Sequence, residues 1–139
     1  MDFPKAFEKV SHSLLVHKLQ HYGIRGKPNR WSKSFLSGRT QCLLVEGEQS
    51  SSVDVECGVP HGSVLGPSLF LFYINDMSDD IKSTRRLFAD DMTVYLTVTS
   101  GDNALQEELD KLAIWEVKWM MKLPPDKCQV LAIIKGIPR

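Results

Sequence analysis

The sequence predicts an α+β fold in which an antiparallel sheet carries helices on one face. Three observations predict it: apolar residues at helical spacing over 11–38 and 101–122, alternation over 85–98, and an order of strand, helices, hairpin, helix, hairpin, helix, strand. No repeat, linker or low-complexity segment divides the 139 residues. One domain over 1–139 is therefore expected, long enough to bury about two-thirds of its unfolded surface.

The opening stretch DFPKAFEKV reads as the end of a strand that turns away into a helix. In SHSLLVHKLQHYG (11–23), Ser11 or Ser13 can cap a helix on which Leu15, Leu19 and Tyr22 recur at helical spacing, and Gly23 can end it. In KPNRWSKSFLSG (27–38), Pro28 suits a first turn, Trp31 and Phe35 fall four apart, and Gly38 is a stop. TQCLLVEGEQSSSVDVE (40–56) reads as two strands around the polar EGEQS turn.

CGVPHGSVLGPSLFLFYINDM (57–77) passes from a loop punctuated by glycine and proline into a buried helix starting near Ser63, with Gly66 and Pro67 in its first turn. Residues 85–98 read as a hairpin whose turn holds Ala89, Asp90 and Asp91; Val94, Leu96 and Val98 share one face, and Thr93, Tyr95 and Thr97 the other. A helix over 101–122 has Asp102 as its cap and a stripe of Leu105, Leu109, Leu112 and Trp119. KCQVLAIIK (127–135) is expected to close the sheet as a strand.

The formal net charge is zero and 42% of residues are hydrophobic, which by itself argues for neither an acidic nor a basic partner. The distribution of charge is more informative. Between Lys9 and Val45 there is no Asp or Glu, yet Lys9, Lys18, Arg25, Lys27, Arg30, Lys33 and Arg39 give seven positive charges. With Tyr22, Trp31 and Phe35 interleaved, this stretch suits phosphate contact and base stacking; a solvated basic face over core aromatics is the other reading.

Cys42, Cys57 and Cys128 lack CxxC spacing and are odd in number, so neither a disulfide framework nor a zinc site is indicated and a reducing, intracellular setting (nucleus or cytoplasm) is expected. The N-terminal stretch has no signal-peptide layout, and the run LFLFYI (69–74) is too short to span a bilayer, so no membrane partner is expected. His17 and His21 stand four apart on one helix, where a metal pair is geometrically open, but no carboxylate lies near them in sequence.

The chemistry turns on Asp90 and Asp91. Adjacent carboxylates at a hairpin tip repel one another, and a solvated turn explains them when they are taken alone. A third carboxylate from a neighbouring strand changes that reading, because two divalent cations about 4 Å apart need bridging anionic oxygens to organise phosphoryl transfer. Asp2 is the candidate, although an Asp at a chain start is commonly just solvated.

Three segments in order, DFPKAF (2–7), GVPHGSVLGPSLF (58–70) and FADD (88–91), resemble the palm domain of reverse transcriptases. The spacers KVSHSLLVHKLQHYGI, RWSKSFLSGRTQ and WEVKWMMKLPPDKCQVL resemble the non-LTR, LINE-type (jockey-like) retrotransposon branch, so the likeness covers nearly the whole chain. Three spaced motifs with matching spacers are specific where FADD alone is weak.

The resemblance implies RNA-directed DNA polymerase chemistry, with Asp2, Asp90 and Asp91 as catalytic, metal-binding carboxylates for two Mg²⁺ (or Mn²⁺) ions. It further implies nucleotide contacts from Phe3, Phe7, His61, Gly62 and Lys127. Phe7 occupies the position of the aromatic that packs under the sugar and blocks a ribonucleotide 2′-hydroxyl; a core phenylalanine is equally consistent with the sequence. In the GVPHGS loop the backbones of Gly58 and Gly62 can approach a nucleotide closely, although the loop can also be a simple turn into the helix, and Lys127 a surface lysine at a strand start.

The implied partners are dNTP, an RNA template and a DNA primer, with Arg25, Lys27, Arg30, Lys33 and Arg39 as the nucleic-acid-binding bases. The sequence departs from the family at His61, where the loop usually reads GVPQGS, and at Pro4, Glu8, Met92 and Pro124. A palm with fingers and thumb absent is expected. Two alternatives stand beside the enzyme: a catalytically dead nucleic-acid-binding remnant, and a non-functional translated fragment.

Overall fold

The computed structural model describes residues 5–88, 91–97 and 103–133. Four helices run α1 (His12–His21), α2 (Lys27–Leu36), α3 (Gly66–Ile74) and α4 (Ala104–Trp119). The strands are β1 (Thr40–Gln41), β2 (Leu44–Val45), β3 (Glu48–Gln49), β4 (Val53–Asp54), β5 (Thr84–Phe88) and β6 (Asp91–Tyr95). Single 3₁₀ turns occupy Ala6–Lys9, Asn75–Ser78 and Pro125–Lys127.

The helices form where the apolar spacing predicts them. In α1, Leu15 and Leu19 are fully buried one turn apart, and the helix gives out at Tyr22 before Gly23 turns with φ +87°. In α2 the second residue is Pro28, whose missing N–H costs nothing in a first turn. Ser63 prepares α3: its hydroxyl donates to the Pro60 carbonyl (2.8 Å) and accepts from the Gly66 N–H (2.9 Å). Asn103 stands at the N-terminal boundary of α4, where its backbone carbonyl accepts from the Glu107 N–H at 3.1 Å, Asp102 being outside the described residues, and the helix stops where Met120 turns left-handed at φ +56°.

These helices pack on one another: α1 lies against both α2 and α3, and α4 against the 3₁₀ turn after α3. The core between them holds Phe70, Tyr73, Ile74, Leu112, Trp115 and Trp119, all under a tenth exposed. Burying such side chains stabilises the fold by about 1.5–3 kcal/mol each.

The sheet differs from the single one expected. Among the described residues there are three separate antiparallel ladders, β1 with β4, β2 with β3, and β5 with β6. The predicted hairpin over 40–56 is broken midway because Ser50 intrudes: its hydroxyl takes the Leu43 N–H at 2.9 Å. Its tip is Glu46–Gly47, both at positive φ, the geometry of a tight two-residue hairpin turn.

Asp91 is not a turn residue as expected but the first residue of β6, paired with Phe88. Met92 points into the core and Val94 is half-buried, while Asp91, Thr93 and Tyr95 are exposed, which is the predicted alternation.

The strand expected over 127–135 is absent among its described residues. Pro125 opens a 3₁₀ turn in which Lys127 and Cys128 donate to the Pro124 and Pro125 carbonyls, each at 3.0 Å. Beyond it Val130, Leu131 and Ile133 are more than four-fifths exposed. A strand needs a neighbour's backbone, and the described residues offer none there. Likewise no described helix is long and apolar enough to cross a membrane.

Candidate functional site

The first and second motif segments, some fifty residues apart, meet directly. The Gly58 N–H donates to the Val10 carbonyl and the Val59 N–H to the Phe7 carbonyl, both at 2.8 Å. The two backbones lie so close that a Cβ on Gly58 would fall 2.8 Å from Glu8, and Gly58 itself sits at φ +85°. The chain's own backbone therefore fills the space that the sequence alone leaves open to a nucleotide at Gly58. Gly62 keeps that freedom, with φ +76° and nothing within 4 Å of where a Cβ would stand.

This docking brings together two residues predicted to contact nucleotide. The Phe7 ring stacks on Phe70 at 4.5 Å and meets the His61 ring at 5.1 Å. Phe7 is half-buried and His61 exposed, so one rests on the core and the other stands at its edge. Phe7 thus packs on the core, and its other ring neighbour, His61, belongs to an exposed loop.

Of the predicted carboxylates, Asp91 is exposed at the start of β6, on the strand face opposite Met92. Asp2, Asp90 and Phe3 lie outside the described residues. Among the described residues no three His, Cys, Asp or Glu side chains form a metal-holding group. Asp91 supplies a hard oxygen donor, the type that suits Mg²⁺ or Mn²⁺. Lys127 is exposed in its 3₁₀ turn.

The predicted bases divide into two groups. Lys27, Arg30 and Lys33 are exposed on α2, and none of the ion pairs among the described residues involves them. Arg25 is exposed with its Nε donating to the Gln20 carbonyl at 3.1 Å. Arg39 is different: it donates to the Gly58 carbonyl at 2.6 Å and to that of Leu36 at 3.1 Å, joining the end of α2 to the glycine loop. His12 reaches the same Gly58 carbonyl at 2.8 Å.

Beneath this surface lies a buried hub that sequence reasoning misses. Lys18 is fully buried, its ammonium 2.5 Å from Asp76 and 3.6 Å from the centre of the Trp119 ring, and it also donates to the Tyr73 carbonyl. Trp115 donates to the same Asp76 oxygen at 2.8 Å, and the Tyr73 hydroxyl donates to the Trp119 carbonyl at 2.5 Å. Burial lowers the Lys18 pKa to about 8 despite the Asp76 carboxylate, and burial raises that of Tyr73 to about 12. One signal is present in the sequence: Lys18 falls between Leu15, Leu19 and Tyr22 on the buried stripe of its own helix.

Residues 1–135 match the family described as reverse transcriptase (RNA-dependent DNA polymerase), and the chain belongs to that family. Within that family it is similar to non-LTR retrotransposon polymerases of the jockey type. It is 33% identical to the RNA-directed DNA polymerase from mobile element jockey of Drosophila funebris, across 99% of this chain and 16% of that protein. The jockey polymerase of Drosophila melanogaster is 31% identical, with 92% of this chain and 15% of the relative covered. The probable RNA-directed DNA polymerase from transposon BS of the same fly is also 31% identical, over 91% of this chain and 15% of its own length. The chain thus spans about a sixth of the curated relatives it matches.

Proposed function

We propose that this chain is the palm of an RNA-directed DNA polymerase that joins dNTPs to a primer 3′-hydroxyl on an RNA template. The observation that carries the reading is the contact of Phe7 with His61 across two docked motif segments. A shared nucleotide surface accounts for an aromatic ring and a loop brought together at the edge of the core.

In this reading Asp2, Asp90 and Asp91 hold two Mg²⁺ or Mn²⁺ ions, which when bound supply activation of the 3′-hydroxyl and charge neutralisation at the triphosphate. The 3′-hydroxyl gives up its proton to solvent, its oxygen forms a bond to the α-phosphorus, and the bond from that phosphorus to pyrophosphate breaks. Phe7 floors the sugar and excludes a 2′-hydroxyl, and Phe3 is a further nucleotide contact. His61 and the Gly62 backbone line the incoming nucleotide, and Lys127 gives a proton to the departing pyrophosphate. Lys27, Arg30 and Lys33, with Arg25, hold template–primer phosphates, while Arg39 fixes the glycine loop from behind.

Primer extension on a homopolymeric RNA template tests this, with Mn²⁺ and Mg²⁺ compared and Asp91→Asn alongside. Incorporation should fall by about a hundred-fold or more in the variant, because a lost anionic ligand weakens a charge-stabilised transition state. Equal incorporation by both proteins would remove Asp91 from the reaction. The basic, acid-free α2 favours a second reading, a nucleic-acid-binding segment without catalysis, in which template–primer binding persists but no product forms.

A further inference from the structure

Residues on α2 segregate sharply. Asn29, Ser32 and Leu36 are buried, which puts Lys27, Arg30, Trp31 and Ser34 on the opposite, outer face. Trp31 is 54% exposed, a large apolar surface for a side chain with neighbours able to cover it. It is held all the same. Its ring stacks on Phe35 at 5.2 Å and 14°, and half-buried Phe35 packs against the core.

One face of the indole is therefore fixed from below and the other is left to solvent, with Lys27 and Arg30 flanking it on the same helix face. No Asp or Glu occurs from Lys9 to Val45 to oppose an anion here.

We infer that the outer face of α2 is a platform for single-stranded nucleic acid, on which Trp31 stacks one unpaired base while Lys27 and Arg30 hold the adjoining phosphates. This rests on the reading that the chain binds nucleic acid, and adds which form it takes and which ring receives it. Paired bases inside a duplex have both faces covered by their neighbours, so away from duplex ends a ring pre-stacked on the protein engages an unpaired base. Phosphate contacts alone do not make that distinction, because both forms carry them.

The test uses the full chain in EDTA, so that metal binding by carboxylates plays no part. Labelled oligo(U), oligo(dT) and a blunt duplex, each about 12 nucleotides long, are titrated by anisotropy. Tryptophan emission is followed in parallel, because Trp115 and Trp119 are under a tenth exposed and quenching reports Trp31. The wild type should bind single strands with quenching. Trp31→Ala should weaken that binding about ten-fold, within the range set by one lost base stack, and change duplex binding less than about two-fold. Trp31→Phe should recover most of the loss.

Lys27→Ala with Arg30→Ala should lower the salt slope of single-strand binding by about 1.4, two phosphates at 0.7 each, whereas Trp31→Ala leaves the slope unchanged. A preference between oligo(U) and oligo(dT) would say whether RNA or DNA is the strand taken. Absence of single-strand binding, unchanged affinity in Trp31→Ala, or an equal loss on the duplex would each overturn the inference. These titrations contain neither metal ion nor dNTP, so a failure of the polymerase reading registers separately, in primer extension.

Discussion

The hub around Lys18 and the β5–β6 hairpin are built in opposite ways. The hub locks α1, α3 and α4 through a buried ammonium, two tryptophans, a tyrosine and one carboxylate, whereas the hairpin carries Asp91 outward and reaches the core through Met92. Both hold an aspartate. Asp76 is enclosed enough to organise a core, and Asp91 is open enough to meet a cation and a substrate. A carboxylate in a closed setting is committed to its neighbours, whereas one on a thin, exposed element anchored from behind is accessible to solvent and its ions.

The contrast is broken most severely at Asp76. Asp76→Ala leaves the Lys18 ammonium buried among three rings without its anion, and should cost about 3 kcal/mol of stability, read as a lower urea midpoint. Gly58→Ala tests the seam between the motif segments. Its methyl would meet the Glu8 backbone at a positive φ, so a loss of about 2 kcal/mol is expected, together with altered Phe7–His61 contact by NMR.

The hub also predicts a pH dependence. The folded chain releases the Lys18 proton near pH 8 and the unfolded chain near 10.5, so between these values the unfolded state binds more protons and raising pH favours folding. Tyr73 acts in the other direction: its folded pKa of about 12 lies above the ordinary 10.0, so its stabilisation is complete below pH 10 and is lost as pH rises towards 12. Stability should therefore climb by on the order of 2 kcal/mol from pH 7 to about 10 and then decline. Lys18→Met should abolish the climb and keep the decline. The smallest effect is expected in the arm formed by β1 to β4, where every strand residue is exposed: Leu44→Ser should change stability by no more than about 0.5 kcal/mol.

The same contrast explains what is legible in the sequence. Helices α1 to α4 follow from apolar spacing, capping residues and glycine or proline punctuation, all of them local signals. The strands are harder to read, because pairing depends on partners far along the chain: Ser50 interrupts one ladder, and Val130 to Ile133 find no neighbour among the described residues. The hub is hidden because a lysine on an apolar stripe reads as a surface residue until Asp76, 58 positions away, is brought against it.

The site is legible as motif text, and the structure adds the contact between Phe7 and His61. It also reassigns Gly58 from nucleotide approach to backbone packing, and ties Arg39 to the glycine loop. In the sequence Trp31 is only one aromatic among bases; its stacking on Phe35 and its exposure require three dimensions.

The most direct measurement is calorimetric titration of Mn²⁺ into the chain bound to a primer–template, beside Asp90→Asn and Asp91→Asn. Saturable binding that either substitution removes is the predicted result of the proposed site, in which two cations share those carboxylates. Binding that is absent from the wild type, or unchanged in both variants, would contradict a polymerase site built on Asp2, Asp90 and Asp91.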